Sequence, residues 1–129
     1  MECFQVGEFT FPLDLSKPLY EQVLQQIRHT VARGDVLLGT KLPSVRDLAR
    51  QLKINPNTVM RAYQELDRDH LTETRRGQGT FITSDPETVS HLKKALACEA
   101  VKTFVSAMEQ LGIDRSTAHS LLKEVDWYE

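Results

Sequence analysis

The chain has 129 residues, of which 40% are hydrophobic and 26% charged, and its formal net charge is −2. This length fits one compact domain with an appendage, and the composition excludes disordered, collagen-like and low-complexity chains. No apolar run approaches the about 20 residues of a membrane span, and the first residues lack the pattern of a signal peptide. Cys3 and Cys98 follow no ligand spacing, so we expect a soluble cytoplasmic protein without a disulfide framework.

The first third of the chain predicts a strand and then a helix. Apolar residues alternate with other residues over 9–15, which is typical of a short strand, and Pro12 confines that strand to a sheet edge. Over 18–33 apolar residues recur every four positions, the spacing of one helix face, and Gly34 ends the helix. Residues 37–41 are too few for more than a strand stub or a turn.

Two further helices follow with a short joint between them. Ser44-Val45-Arg46-Asp47 has the form of a capping box with Asp in place of Glu, which predicts the start of a helix. Asn55 and Pro56 begin the next helix, because Asn caps it and Pro suits the first helical position, where an N–H is not needed. About three residues separate the two helices, which is the helix-turn-helix pattern.

Glycines mark a hairpin after the third helix. Segments 72–76 and 80–84 flank Gly77-Gln78-Gly79, and glycine readily adopts the positive φ that tight hairpin turns require. The predicted fold is therefore mainly α with a small β-hairpin. It comprises a winged helix-turn-helix over 9–84 and a short two-helix tail over 85–129.

The third helix, predicted over 56–70, separates polar from apolar residues. Its apolar side is formed by Val59, Ala62, Tyr63, Leu66 and His70, and its polar side by Asn57, Arg61, Gln64 and Arg68. A helix in the DNA major groove needs this arrangement, because amides and guanidinium groups pair with base edges. Asn57 and Arg61 are predicted to reach bases, and Thr58 a phosphate or a thymine methyl. The alternative is an ordinary solvated helix face.

Arg75 and Arg76 stand beside the glycine turn of the predicted hairpin. Glycines let a backbone approach a phosphate or the narrow minor groove, whose negative potential attracts arginine. The alternative is an exposed hairpin with charged strand ends, but its position after a helix-turn-helix favours a DNA-contacting wing.

Four motifs recur in order: LPSVRDLA at 42–49, NPNTV at 55–59, RAYQEL at 61–66 and RGQGTF at 76–81. Together they resemble the DNA-binding domain of GntR-family bacterial transcription regulators. The Asn-Pro-Asn-Thr form and the short tail further resemble the YtrA-type subfamily, whose members are small dimeric repressors. The resemblance implies DNA contacts from Arg46, Thr58, Arg61, Arg76 and Gly77.

The chain departs from the family pattern at two positions. Many relatives carry Arg where this chain has Pro56 and Met60, so Asn55 and Asn57 are predicted to replace the missing contacts. The predicted DNA-contacting set is Ser44, Arg46, Asn55, Asn57, Thr58, Arg61, Arg75, Arg76, Gly77, Gln78, Gly79 and Thr80.

The tail predicts a homodimer interface. Apolar residues cover an arc of about 220° on the helix that begins at Pro86, against about 100° for an ordinary surface helix. Asp114 caps a second helix, and two helices cannot bury such an arc alone; the alternative is a tail folded back on the winged domain. The predicted interface residues are Val89, Leu92, Leu96, Ala100, Phe104, Met108, Leu111, Leu121 and Leu122. Trp127 and Tyr128 are expected to pack across the dimer; the alternative is that they stack on a ligand.

These predictions describe a homodimeric repressor that binds double-stranded DNA at an inverted-repeat operator, with helix 56–70 in the major groove and wing 75–80 in the minor groove. No catalytic pairing, phosphate loop or metal-ligand spacing is present in the sequence, so no enzyme activity, cofactor, metal or membrane partner is expected. A small-molecule effector has no domain of its own in so short a tail and would have to bind between two copies. The alternative function is a protein–protein interaction module without DNA binding.

Overall fold

The computed structural model describes residues 1–127. The elements are β1 (Glu2–Val6), β2 (Phe9–Leu13), α1 (Leu19–Arg33), α2 (Val45–Leu52), α3 (Pro56–Arg68), β3 (Thr72–Arg75), β4 (Gly79–Ile82), α4 (Pro86–Gln110) and α5 (Arg115–Glu124). The predicted fold class is confirmed: a mainly helical chain with a winged helix-turn-helix and two further helices. Tyr128 and Glu129 lie outside the described residues, and so does the predicted packing of Tyr128.

The N-terminal segment is a hairpin, whereas the sequence predicted a single strand over 9–15. β2 ends at Leu13 and pairs antiparallel with β1, from Glu2 opposite Leu13 to Val6 opposite Phe9. β1 has little apolar alternation of its own, since only Val6 is fully buried, and this is why its pattern did not reveal it. The inward side chains of β2 belong to the main core.

The core of the first compact unit, Met1–Lys93, joins the β-hairpin to three helices. The helical residues buried in it are Val23, Leu24, Ile27, Val31, Leu48, Ala49, Leu52, Val59, Ala62, Tyr63 and Leu66. Burying one large aliphatic side chain contributes about 1.5–3 kcal/mol, so this cluster fixes how α1, α2 and α3 pack. The first turns of α4 add Val89 and Leu92, which are partly buried against the same cluster.

The predicted caps of α2 and α3 are confirmed. The Ser44 side chain accepts a hydrogen bond from the Asp47 N–H at 3.1 Å, and the Asn55 side chain accepts one from the Asn57 N–H at 2.8 Å. Such caps satisfy backbone donors that the first helical turn leaves without a partner. The Asn55 cap therefore fixes, through a local hydrogen bond, the point at which the joint between α2 and α3 ends and α3 begins.

The third helix ends at Arg68, so the predicted extension to residue 70 is wrong. The Leu71 N–H returns to the Leu66 carbonyl at 3.0 Å, which closes the helix and turns the chain away. His70 takes φ +61° in this turn and is exposed, so its predicted place on the apolar face is also wrong.

The predicted hairpin is confirmed as β3 and β4, which pair antiparallel from Thr72 opposite Ile82 to Arg75 opposite Gly79. The stub predicted near residue 40 lies along the free edge of β4. There the Leu42 N–H donates to the Thr80 carbonyl and the Ile82 N–H donates to the Thr40 carbonyl, both at 2.8 Å. The wing is thus tied to the segment that precedes α2.

The second unit begins at Lys94 and is described as far as Trp127. It contains the remainder of α4 and α5, which Asp114 caps by accepting from the Thr117 N–H at 2.9 Å. Hydrogen bonds from Thr117 hold the pKa of Asp114 below its usual value. Among the described residues of this unit only Ala118 is fully buried. In residues 1–127, no helix has both the length and the apolar character that crossing a membrane requires.

Candidate nucleic-acid interface

The two sides of α3 differ sharply in exposure. Val59, Ala62 and Leu66 have no accessible surface, whereas Asn57 and Arg61 are exposed. Residues four apart on a helix lie one above the other, so Asn57 and Arg61 share one outward face. α3 therefore has the amphipathic form that the sequence predicted, with its amide and guanidinium groups directed away from the core.

Two contacts hold α3 against the rest of the first unit. The Tyr63 hydroxyl donates to the Pro43 carbonyl at 2.7 Å, and burial raises the pKa of Tyr63, which keeps this hydroxyl a proton donor. At the C-terminal end of the helix, the Arg28 guanidinium of α1 forms an ion pair with Asp69. The exposed face is thus carried by a helix that is anchored at its middle and at its C-terminal end.

The wing is attached to the end of α3 through one carboxylate. Asp67 accepts hydrogen bonds from the hydroxyls of Thr72 and Thr74, the latter at 2.6 Å. The Thr74 and Thr80 hydroxyls lie 3.1 Å apart across the hairpin. These contacts make the orientation of the wing depend on the same helix that carries Asn57 and Arg61.

The two wing arginines have different surroundings, which the sequence did not indicate. The Arg75 guanidinium lies 4.4 Å from the Phe81 ring centroid and 3.6 Å from a Glu73 carboxylate oxygen. Arg76, at the turn, has no carboxylate within ion-pair distance among residues 1–127. Arg76 therefore offers a full positive charge to an external anion.

The turn itself needs glycine. Gly77 adopts φ +79° and Gly79 φ +124°, a backbone conformation that side chains with a Cβ rarely take. A Cβ on Gly79 would also lie 2.7 Å from the Lys41 side chain. The backbone at this turn can consequently approach a neighbouring surface closely.

Arg61 makes a contact that sequence reasoning missed. Its guanidinium carbon lies 3.8 Å from the centroid of the Tyr20 ring, in the first turn of α1. Within the described residues no carboxylate pairs with Arg61. By contrast, Arg68 forms an ion pair with Glu65 at 3.0 Å. No local pattern in α1 could have revealed Tyr20, because its partner is 41 positions away.

All twelve predicted DNA-contacting residues belong to the first unit, and they come from the start of α2, the first half of α3 and the wing turn. α3 packs against both α2 and β3, so these segments adjoin one another through it. The residues that are exposed are Ser44, Arg46, Asn55, Asn57, Arg61, Arg75, Arg76, Gly77 and Gln78; those that are half-buried are Thr58, Gly79 and Thr80. Ser44 and Asn55 also serve as helix caps.

The predicted interface residues of the tail fall into two groups. Val89 and Leu92 contact the core of the first unit, which leaves only part of their surface accessible. In the second unit, Leu96, Phe104 and Met108 are half-buried, and Ala100, Leu111, Leu121 and Leu122 are exposed. Trp127 is exposed as well. Residues 1–127 contain no group of three or more potential metal ligands.

The chain is similar to known regulators over most of its length. The family model described as bacterial regulatory proteins, gntR family, matches residues 19–82. An uncharacterized HTH-type transcriptional regulator of Bacillus subtilis, YhcF, is 48% identical over 78% of this chain and 83% of its own. The HTH-type transcriptional repressor YtrA of the same organism is 38% identical over 85% of each chain. A solved GntR family transcriptional regulator from Listeria monocytogenes superposes with a TM-score of 0.81 at 36% identity, over 88% of this chain and 100% of that one.

Proposed function

The chain belongs to the GntR family of bacterial regulatory proteins and matches its YtrA-type members, and on that premise we propose that it is a homodimeric repressor of transcription. α3 lies in the major groove of an inverted-repeat operator, and the β3–β4 wing enters the neighbouring minor groove. The observation that carries this proposal is the joint presence of an anchored helix with an outward amide and guanidinium face and a glycine turn bearing Arg76.

In the proposed complex, Asn57 and Arg61 read bases. An Asn amide can donate and accept at adenine N6 and N7, and an Arg guanidinium can donate twice to guanine O6 and N7. Both side chains are exposed on the same face of α3, and Asn57 is in its first turn. Recognition helices contact base edges mainly through their N-terminal residues, which fits this placement.

Contacts to the DNA backbone orient the helix. Ser44 and Arg46 at the start of α2 and Thr58 in α3 are available for phosphates, which carry no sequence information but fix register. Arg76 and the exposed backbone at Gly77 enter the minor groove, where width and negative potential favour arginine. Arg75 contributes less in this arrangement, because Glu73 already pairs with its charge.

The second unit supplies the dimer contacts. Within the described residues, Val101, Val105, Leu111, Leu121 and Leu122 keep at least 39% of their surface accessible. Exposed apolar residues gathered on two helices of a small unit and on the turn between them indicate a partner, and a second copy buries the same residues on both sides. Twofold symmetry then predicts half-sites about one helical turn apart or a multiple of it. Repression follows from occupancy of the operator, and the relative described as a repressor supports this direction of control.

Selection of bound DNA from a random pool tests the proposal, because it returns sequence, symmetry and spacing together. We expect an inverted repeat, and Asn57→Ala and Arg61→Ala each to lose about 1–3 kcal/mol of binding free energy and relax base preference at one position per half-site. Arg68→Ala is the matched control, since Arg68 pairs with Glu65. Recovery of no enriched sequence at low salt would reject DNA recognition and leave the same surface to a protein partner.

A further inference from the structure

We propose that Tyr20 is a positioning residue for DNA recognition, because its ring holds the guanidinium of Arg61 in the orientation that DNA requires. The inference rests on the proposed function, which assigns Arg61 a DNA contact. The geometry behind it is the separation of 3.8 Å between the Arg61 guanidinium carbon and the Tyr20 ring centroid. This contact joins α1 to the exposed face of α3.

A ring contact differs chemically from an ion pair. An aromatic ring attracts the face of a guanidinium group, whereas the N–H donors point outward in the guanidinium plane. Stacking therefore leaves the donors and the positive charge of Arg61 available to guanine or phosphate. A carboxylate partner occupies N–H donors and offsets the positive charge, as Glu65 does for Arg68 at 3.0 Å.

Tyr20 itself is held in place. Its side chain is half-buried and packs against the core of the first unit, and α1 packs extensively against α3. Free arginine side chains sample many rotamers, and that freedom is lost when they bind. A ring fixed by the core restricts Arg61 before DNA arrives, so less conformational freedom is lost on binding.

The test compares four variants with the wild-type dimer on the selected operator: Tyr20→Leu, Tyr20→Phe, Arg61→Ala and the double variant Tyr20→Leu/Arg61→Ala. Leucine keeps an apolar side chain against the core but removes the ring, and phenylalanine keeps the ring. We expect Tyr20→Leu to raise the Kd by about two- to fivefold, the range of an exposed cation–π contact. Tyr20→Phe should retain the wild-type Kd, and Tyr20→Leu should have no further effect once Arg61 is alanine.

Several results would overturn the inference. An equal loss from Tyr20→Leu with and without Arg61 would show that the ring acts elsewhere, and a loss in Tyr20→Phe would assign the effect to the hydroxyl. Tighter binding by Tyr20→Leu would show that the ring withholds Arg61 from DNA. Urea unfolding of each variant measures any change in stability separately. Wild-type protein that binds no operator contradicts the proposed function itself, whereas operator binding without coupling between the two residues contradicts only the role of Tyr20.

Discussion

In the first unit, Met1–Lys93, most of the large apolar side chains form one buried cluster, whereas in the second unit, Lys94–Trp127, Ala118 alone is buried among the described residues. The difference lies in how the elements surround one another. In the first unit a hairpin and three helices pack against one another and enclose a core, whereas α5 does not pack extensively against α4 in the described residues of the second. The first unit therefore has the core of an independent fold, and the second has the exposed apolar side chains on which the proposed dimer depends.

The largest effect that this comparison predicts is in the core. Leu66 has no accessible surface, so Leu66→Ala should reduce the free energy of unfolding by about 2–5 kcal/mol. Leu111, which is 70% exposed in the second unit, is the matched control, and Leu111→Ala should change monomer stability by about 0.5 kcal/mol or less. Urea unfolding followed by far-UV circular dichroism measures both. Both substitutions should be measured in a variant that does not dimerise. Equal losses of unfolding free energy there would contradict the difference in burial between the two units.

A charge placed on the second unit should separate assembly from folding. Phe104→Asp puts a carboxylate where the proposed dimer buries an aromatic ring, and should weaken association by about 3 kcal/mol or more. Leu96→Asp should act in the same way, and Ser106→Asp, about 200° around α4 from Phe104, should not. Sedimentation velocity reads the oligomeric state, and the monomers should bind the operator weakly. A dimer that persists in Phe104→Asp would reject the tail as the interface.

A third prediction concerns the wing, which belongs to the first unit, and tests whether Arg76 contacts DNA without any effect on dimer formation. Arg76 has no carboxylate partner in the described residues, so Arg76→Ala should weaken DNA binding and lower the slope of log K against log salt by about one. Arg75→Ala should change the slope less, because Glu73 lies 3.6 Å from Arg75. Titrations at several salt concentrations provide the slopes, and sedimentation should find both variants dimeric. An unaltered slope in Arg76→Ala would remove this residue from the interface.

The smallest expected effect is a gain in stability confined to the first unit. His70 is exposed and holds φ +61°, a conformation that glycine adopts without strain. His70→Gly should therefore raise the free energy of unfolding by about 0.5–1 kcal/mol. Lys53 at φ +60° is the other such non-glycine position in the described chain, and Lys53→Gly should act alike. Thermal unfolding of these substitutions in a variant that does not dimerise measures the change. A loss of stability in His70→Gly would show that the His70 side chain contributes packing.

Much of the fold could be predicted because its signals are local. Ser44, Asn55 and Asp114 satisfy backbone donors two or three residues ahead, so the helix starts are written in short stretches of sequence. β1 and the end of α3 were not predicted correctly, the first because it depends on pairing with another segment and the second because no glycine marks the turn in which His70 takes φ +61°. β1 is defined by its register against β2, and α3 ends where Leu71 returns to the Leu66 carbonyl.

The amino-acid sequence alone was sufficient to predict the order of the elements after β1, the caps of α2, α3 and α5, the glycine turn of the wing and the motifs of the GntR family. Only the tertiary structure decided which charges remain available to DNA. Within residues 1–127, Arg75 lies beside a carboxylate and the ring of Phe81, Arg61 lies on the ring of Tyr20 and Arg76 has no carboxylate within ion-pair distance, although all three are arginines. The physical reason is that capping and periodicity act over a few residues. The surroundings of a long flexible side chain depend on which elements the core brings next to it.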